Sequence, residues 1–192
     1  MLGRVIEQVS GQAYDTYVKE QILAPCGVTD MQIAGDTLAD RRPGEVVYYD
    51  GKLASRGITD PYGIPVARMD AHGGWIASAT DLLRFAVRVD GFATVPDILS
   101  ADTITTMTTR SAVSGDAKYA KGWGVFDDGT WQHLGTAGER VDPHAHRGRV
   151  LLRRPHQHRA THPAYRNTAV AIERLVWRIR TDVDFWDAGQ PL

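Results

Sequence analysis

The chain is poor in the features that announce a cofactor, a compartment or a membrane. Cys26 is the one cysteine in 192 residues, so no internal disulfide forms, and zinc-knuckle and dithiol readings fall away. In Ala24-Pro25-Cys26-Gly27 the thiol fits a small buried hydrophobe better than a nucleophile. No apolar run approaches the roughly 20 residues that cross a bilayer, so no membrane span is predicted. The start Met1-Leu2-Gly3-Arg4-Val5 is amphipathic rather than a charged start before an apolar signal core. As written it carries no export address, which leaves the compartment unknown. There is no Gly-x-Ser-x-Gly elbow and no Gly-rich phosphate loop, so that hydrolase fold and nucleotide binding lack support. Nor is there an excess of one charge, the formal net charge being −1.

What is present is globular. Hydrophobic residues make up 43% and charged residues 23% of the chain, enough for one domain with a sizeable core and too apolar for disorder throughout. The charge is unevenly placed. Residues 137–166 hold seven arginines against Glu139 and Asp142, a local charge of +5, while the other 15 basic and 21 acidic residues leave −6. Five of the seven histidines, His144, His146, His156, His158 and His162, fall in the same stretch. A composition break near Ala137 follows.

Periodicity sets the elements. Leu2, Val5, Ile6 and Val9 predict a helix that Ser10-Gly11 stops, and Tyr14, Tyr17, Val18, Gln21 and Ile22 predict a second, ended by Pro25 and Gly27. From Asp30 to Gly73 no helical period lasts, and the one strand-like run is Glu45–Tyr49. Ser78 with Asp81 reads as a capping box for a helix presenting Leu82, Phe85, Ala86 and Val89, and Ser100 caps another. Gly122–Phe126 and Thr130–Leu134, joined by an Asp127-Asp128-Gly129 turn, predict an antiparallel hairpin. The tail predicts an amphipathic helix through Ile172, Leu175, Val176, Ile179, Val183 and Trp186.

The order of segments resembles the class C β-lactamase-like serine hydrolases, which include β-lactamases, D-alanyl-D-alanine carboxypeptidases and esterases. The resemblance rests on Leu2–Gln12, Tyr17-Val18, Ile22–Met31, Gly73–Leu82, Gly122–Val125 and His133-Leu134-Gly135 in succession. It covers residues 2 to about 135 and implies an α+β fold, incomplete here, with an antiparallel sheet and packed helices. It also implies acyl transfer through a serine ester: the serine of Ser-x-x-Lys attacks a carbonyl while the lysine and the tyrosine of Tyr-x-Asn handle the proton. A later Lys/His-x-Gly strand lines the site. By resemblance His133 faces the cleft and Gly135 lets substrate approach the backbone. The implied partner of the full-length family is a small-molecule β-lactam, peptide or ester, with no cofactor and no metal.

The catalytic residues themselves are absent from these 192 residues. Ser10, Ser55, Ser78, Ser100, Ser111 and Ser114 are the serines, and none has lysine three residues on. In the family both motifs precede the segment with which this sequence opens, so Met1 is expected to lie inside a longer or truncated gene. Thr16-Tyr17-Val18-Lys19 mimics the serine–lysine spacing and Tyr165-Arg166-Asn167 mimics Tyr-x-Asn; both are read as chance.

Three segments are therefore expected: residues 1–136 as the C-terminal part of a β-lactamase-like domain, an anomalous Arg/His-rich 137–167, and a C-terminal helix of the same domain in 168–192. A one-nucleotide frame slip through codons 138–160 would replace the basic text with two apolar strands, leaving Val150-Leu151-Leu152 as the strand candidate in the chain as written. The expected function is a truncated relative of the serine hydrolases that is inactive alone, and whose uncovered sheet favours aggregation or self-association. The alternative is a non-catalytic metal-binding or interaction protein using His144-x-His146, His156-x-His158 and His162. Nucleic acid is not an expected partner, because the +5 stretch lacks Phe or Trp for base stacking.

Overall fold

The computed structural model describes residues 1–48, 62, 65–112, 118–127 and 129–133, with the backbone of two further strands at 143–146 and 149–152. The expectations on Gly135, the Tyr165-x-Asn167 mimic, His156, His158, His162 and the tail helix lie outside the described residues.

The opening helix, α1 (Leu2–Ser10), ends where Gly11 turns left-handed at φ 71° and returns its N–H to the Glu7 carbonyl. Its inward contact is made by Gly3, which is buried, while Leu2, Val5 and Val9 are 75%, 52% and 83% exposed. The next helix is not the uniform one its spacing predicts. It begins as α2 (Tyr14–Val18), widens to a π-turn over Lys19–Leu23 and tightens to a 3₁₀ turn over Ala24–Cys26. Pro25 has no N–H to give the preceding turn, and the hydrogen-bond ladder changes register just before it.

Two short strands, β1 (Gln32–Ile33) and β2 (Trp75–Ile76), pair antiparallel across the long excursion. Within the excursion a 3₁₀ turn at Leu38–Asp40, a short α3 (Val66–Met69) and a 3₁₀ turn at Asp70–His72 are ordered. Glu45–Tyr48 is irregular rather than a strand. Its backbone is engaged otherwise: Glu45 N–H donates to the Arg42 carbonyl and Tyr48 N–H to the Tyr62 hydroxyl at 3.1 Å. Helices α4 (Ala79–Ala86) and α5 (Ala101–Thr108) follow, each capped by the serine the sequence marks.

The second sheet has the order β3-β4-β5-β6, all antiparallel: β3 (Gly124–Val125), β4 (Trp131–Gln132), β5 (Pro143–His146) and β6 (Arg149–Leu152). The sheet thus runs past Ala137, and β6 contains the Val150-Leu151-Leu152 strand candidate. Helix α4 lies alongside β6, a helix-on-sheet arrangement of the α+β kind. A central core joins the two-stranded sheet to the helices: Leu23, Cys26 and Val28 are buried, with Val18, Met31, Trp75, Phe85 and Ile98 against them.

Candidate active-site hairpin

The hairpin is built by its turn. Phe126 N–H donates to the Thr130 carbonyl at 2.8 Å and Gly129 N–H to the Phe126 carbonyl at 3.0 Å, closing the Asp-x-Gly loop that the sequence predicts. Gly124 pairs with Gln132 and Val125 with Trp131. On its far side β4 pairs again, Trp131 with Ala145 and Gln132 with His144. His133 therefore leaves the end of a strand flanked on both sides, and its side chain is exposed.

The outer edge of β3 is occupied by the connection from α5. Val125 N–H donates to the Lys118 carbonyl and Ala120 N–H to the Trp123 carbonyl, both at 2.7 Å, and Tyr119 bridges Gly124. Arg110 pins the same edge, its Nε donating to the Val125 carbonyl at 2.8 Å while its guanidinium pairs with Asp127 at 2.8 Å. Lys118 lies over the Phe126 ring at 5.1 Å. Aromatic rings stand on the hairpin in two pairs: Trp123 with Trp131 at 6.1 Å, and Tyr119 with His133 at 6.4 Å, tilted 62°. The histidine read from the sequence is thus brought beside a tyrosine that segment order did not mark. The Tyr119–Gly124 bridge that places this ring carries no periodic signal.

A second polar cluster holds the Gly-Gly-Trp segment. Gly74 N–H donates to the Asp70 carbonyl and Ala34 N–H to the Gly74 carbonyl. A Cβ on Gly74 would stand 2.7 Å from the Asp70 nitrogen and 2.8 Å from the Val66 carbonyl oxygen, so only glycine fits. Asp70 itself has φ 30°, a strained value for a residue with a side chain. Arg4 reaches from α1 to Asp70 and to Glu7, and Glu7 accepts the Tyr14 N–H. The Trp75 indole donates to the Tyr14 hydroxyl at 3.1 Å. Burial holds the Tyr14 phenol above its ordinary pKa, against the Trp75 donor, with the Asp70 charge adding to the rise. That is the wrong direction for a phenolate base.

The other nucleophile-like groups have structural employment. Ser78 Oγ donates to Asp81 Oδ2 at 2.7 Å and accepts the Asp81 N–H at 3.1 Å, and the same carboxylate accepts the Ser78 N–H, completing the capping box. Lys19, three residues after Thr16, pairs with Asp15 at 3.2 Å, one turn back along its own helix. Cys26 is buried, and burial raises its thiol pKa, with Arg88 opposing. Among the described residues no group of three His, Cys, Asp or Glu is placed to hold a metal ion, and no helix is long and apolar enough to cross a membrane.

Comparison with known proteins agrees with the segment order. The beta-lactamase family profile matches residues 1–172. The octameric penicillin-binding protein homologue from Pyrococcus abyssi superimposes with a TM-score of 0.61 at 21% identity, over 93% of this chain and 40% of that one. The chain thus has that fold over two-fifths of the neighbour's length. A search of curated proteins found no match. With hairpin, capped helix and Gly-Gly-Trp segment in family order, and the profile spanning most of its length, the chain belongs to the beta-lactamase family, a family of serine hydrolases.

Proposed function

We propose that this chain supplies the substrate-facing hairpin of a serine hydrolase that cleaves an amide or ester through an acyl-serine. The observation that carries the reading is His133, exposed at the end of β4, and the support for its role is the resemblance of His133-Leu134-Gly135 to the family's Lys/His-x-Gly strand. In this role the imidazole meets the acyl substrate, a β-lactam, a D-Ala peptide or a simple ester, and Gly135 lets it approach the backbone. The 192 residues hold no Ser-x-x-Lys, so the nucleophile and its base come from polypeptide other than these residues. The chain alone binds without turning over. Leu2, Val5 and Val9, exposed on α1, give it an apolar stripe for self-association.

Two measurements test this. The purified chain should not hydrolyse a chromogenic β-lactam or a short-chain nitrophenyl ester above a buffer control, and burst release with acylation of any serine would defeat the reading. The DNA flanking the Met1 codon should encode a Ser-x-x-Lys followed by a Tyr-x-Asn. If that longer product hydrolyses either probe, His133→Gln should lower its kcat/KM about 10-fold or more, as loss of a positioned side chain does.

A further inference from the structure

We propose that Tyr119 is a positioning residue for His133, fixing the imidazole at the end of β4 so that its open side meets the acyl substrate. The proposal rests on the reading of His133 as substrate-facing and adds to it the residue that holds the ring.

The argument begins in the backbone. Tyr119 is bridged to Gly124, and Gly124 is paired with Gln132, the residue before His133. Two strand spacings of about 4.8 Å separate the Tyr119 backbone from β4. Gly124 puts no side chain between them, and the rings approach to 6.4 Å between centroids at 62°, the edge-to-face arrangement that aromatic pairs prefer. Tyr119 is itself well anchored: its carbonyl accepts the Ser111 N–H at 3.2 Å, and its neighbours Lys118 and Ala120 are tied to Val125 and Trp123. The cations of this connection are drawn elsewhere, Arg110 to Asp127 and Val125, Lys121 to the Thr109 carbonyl, and Lys118 over Phe126. An exposed histidine at a strand end otherwise samples several rotamers. A ring held on one side restricts it to those that keep the contact, which is how positioning groups raise affinity.

The test uses the full chain with histidines labelled at the ring carbon, the His133 signal being assigned by its loss in His133→Gln. In the unsubstituted chain an Overhauser effect should connect the Tyr119 ring to the His133 ring, and the His133 Hε1 signal should carry a ring-current shift. Tyr119→Phe should keep that shift and Tyr119→Leu should remove it. Titration with benzylpenicillin should move the His133 signal, with Kd weakened about two- to tenfold in Tyr119→Leu, the range for one aromatic pair, and restored in Tyr119→Phe. Absence of the Overhauser effect overturns the proposal even if Tyr119→Leu does not fold. An unchanged Kd in a folded Tyr119→Leu overturns positioning while leaving the functional reading intact. If benzylpenicillin leaves His133 unmoved while the ring contact is present, the functional reading fails and the proposal fails with it.

Discussion

Around Leu23 the chain is fastened by side chains that fit one another: Leu23, Cys26 and Val28 buried together, Trp75 bonded to Tyr14, and Asp70 gripped from α1 by Arg4. Around Val125 it is fastened mainly by backbone, through the bonds of the turn, the Lys118–Ala120 connection and the register with β4. The hairpin's tyrosine and histidine stand at the surface instead. The difference teaches where substitution is tolerated. A region held by main-chain bonds frees its side chains to meet a ligand, while a region held by fit does not.

The largest effect expected from this contrast comes from one substitution made in both regions. In Gly74→Ala the new Cβ would meet backbone atoms of Asp70 and Val66 at 2.7 to 2.8 Å. Backbone cannot swing aside, so the helical half must shift, at a cost of about 3 kcal/mol or more. In Gly124→Ala the nearest atoms are the Gln132 carbonyl oxygen at 3.4 Å and its Cγ at 3.5 Å, ordinary contact. That change should cost less than about 1 kcal/mol. Thermal melts of the two variants should separate clearly, and equal losses would show that the hairpin is as tightly fitted as the helical half.

Leu23→Ala comes next. Leu23 is 3% exposed and buried with Cys26 and Val28, and its truncation should cost about 2–4 kcal/mol. Arg110→Met removes one donor to the Val125 carbonyl and one partner of Asp127, which is 84% exposed. That loss should be near 1 kcal/mol, since the carbonyl can turn to water and the ion pair is open to solvent. Urea midpoints would order the two, and a larger loss for Arg110→Met would make the hairpin's fastening a side-chain matter after all.

Legibility in the sequence follows the same division between local and long-range causes. Ser78 and Asp81 are three residues apart, so their capping box is written in the spacing, as is the Asp-x-Gly turn of the hairpin. The pairing of β1 with β2 joins Gln32 to Ile76 and Ile33 to Trp75, residues 44 and 42 apart in the chain, through strands too short for any period. The π-turn before Pro25 is hidden for another reason: helical spacing looks the same whether the ladder runs to i+4 or i+5. Glu45–Tyr48 has a strand's composition but is irregular, its backbone bonded instead to Arg42 and Tyr62, and composition alone does not make a ladder. At the candidate site His133 was legible only through the order of segments. Tyr119 was not legible at all, because the bridge that brings it there is a tertiary fact.

Ser78→Ala should have a modest effect, about 1 kcal/mol of stability, the usual worth of a serine cap. It should leave binding of benzylpenicillin unchanged, because Ser78 Oγ is committed to Asp81 within α4's own first turn. A binding defect larger than the stability loss would move Ser78 from scaffold to site.

The smallest effect is electrostatic, and its sign tells burial from pairing inside the helical half. Asp90 is 7% exposed, and burial raises its carboxyl pKa, opposed by the Phe92 N–H it accepts at 2.9 Å and assisted by the Asp97 charge. An acid whose folded pKa lies above its unfolded value, about 3.9, binds its proton more tightly when folded. Stability therefore falls as pH rises from below about 4 through the raised pKa, and the penalty stays constant above it. Asp90→Asn keeps an oxygen for the Phe92 N–H and removes the charge, so it should stabilise the chain at pH 7 and lose that advantage near pH 3. Asp15 gives the opposite sign. Burial tends to raise its carboxyl, but the Lys19 ammonium and its hydrogen bond outweigh this and hold the pKa below the ordinary value. Asp15→Asn should destabilise slightly at pH 7, and the loss should vanish as pH falls through the lowered pKa. Paired urea midpoints at pH 7 and pH 3 read both variants. If Asp90→Asn gains equally at the two pH values, its effect is one of packing, and the helical half tolerates its buried charge without cost.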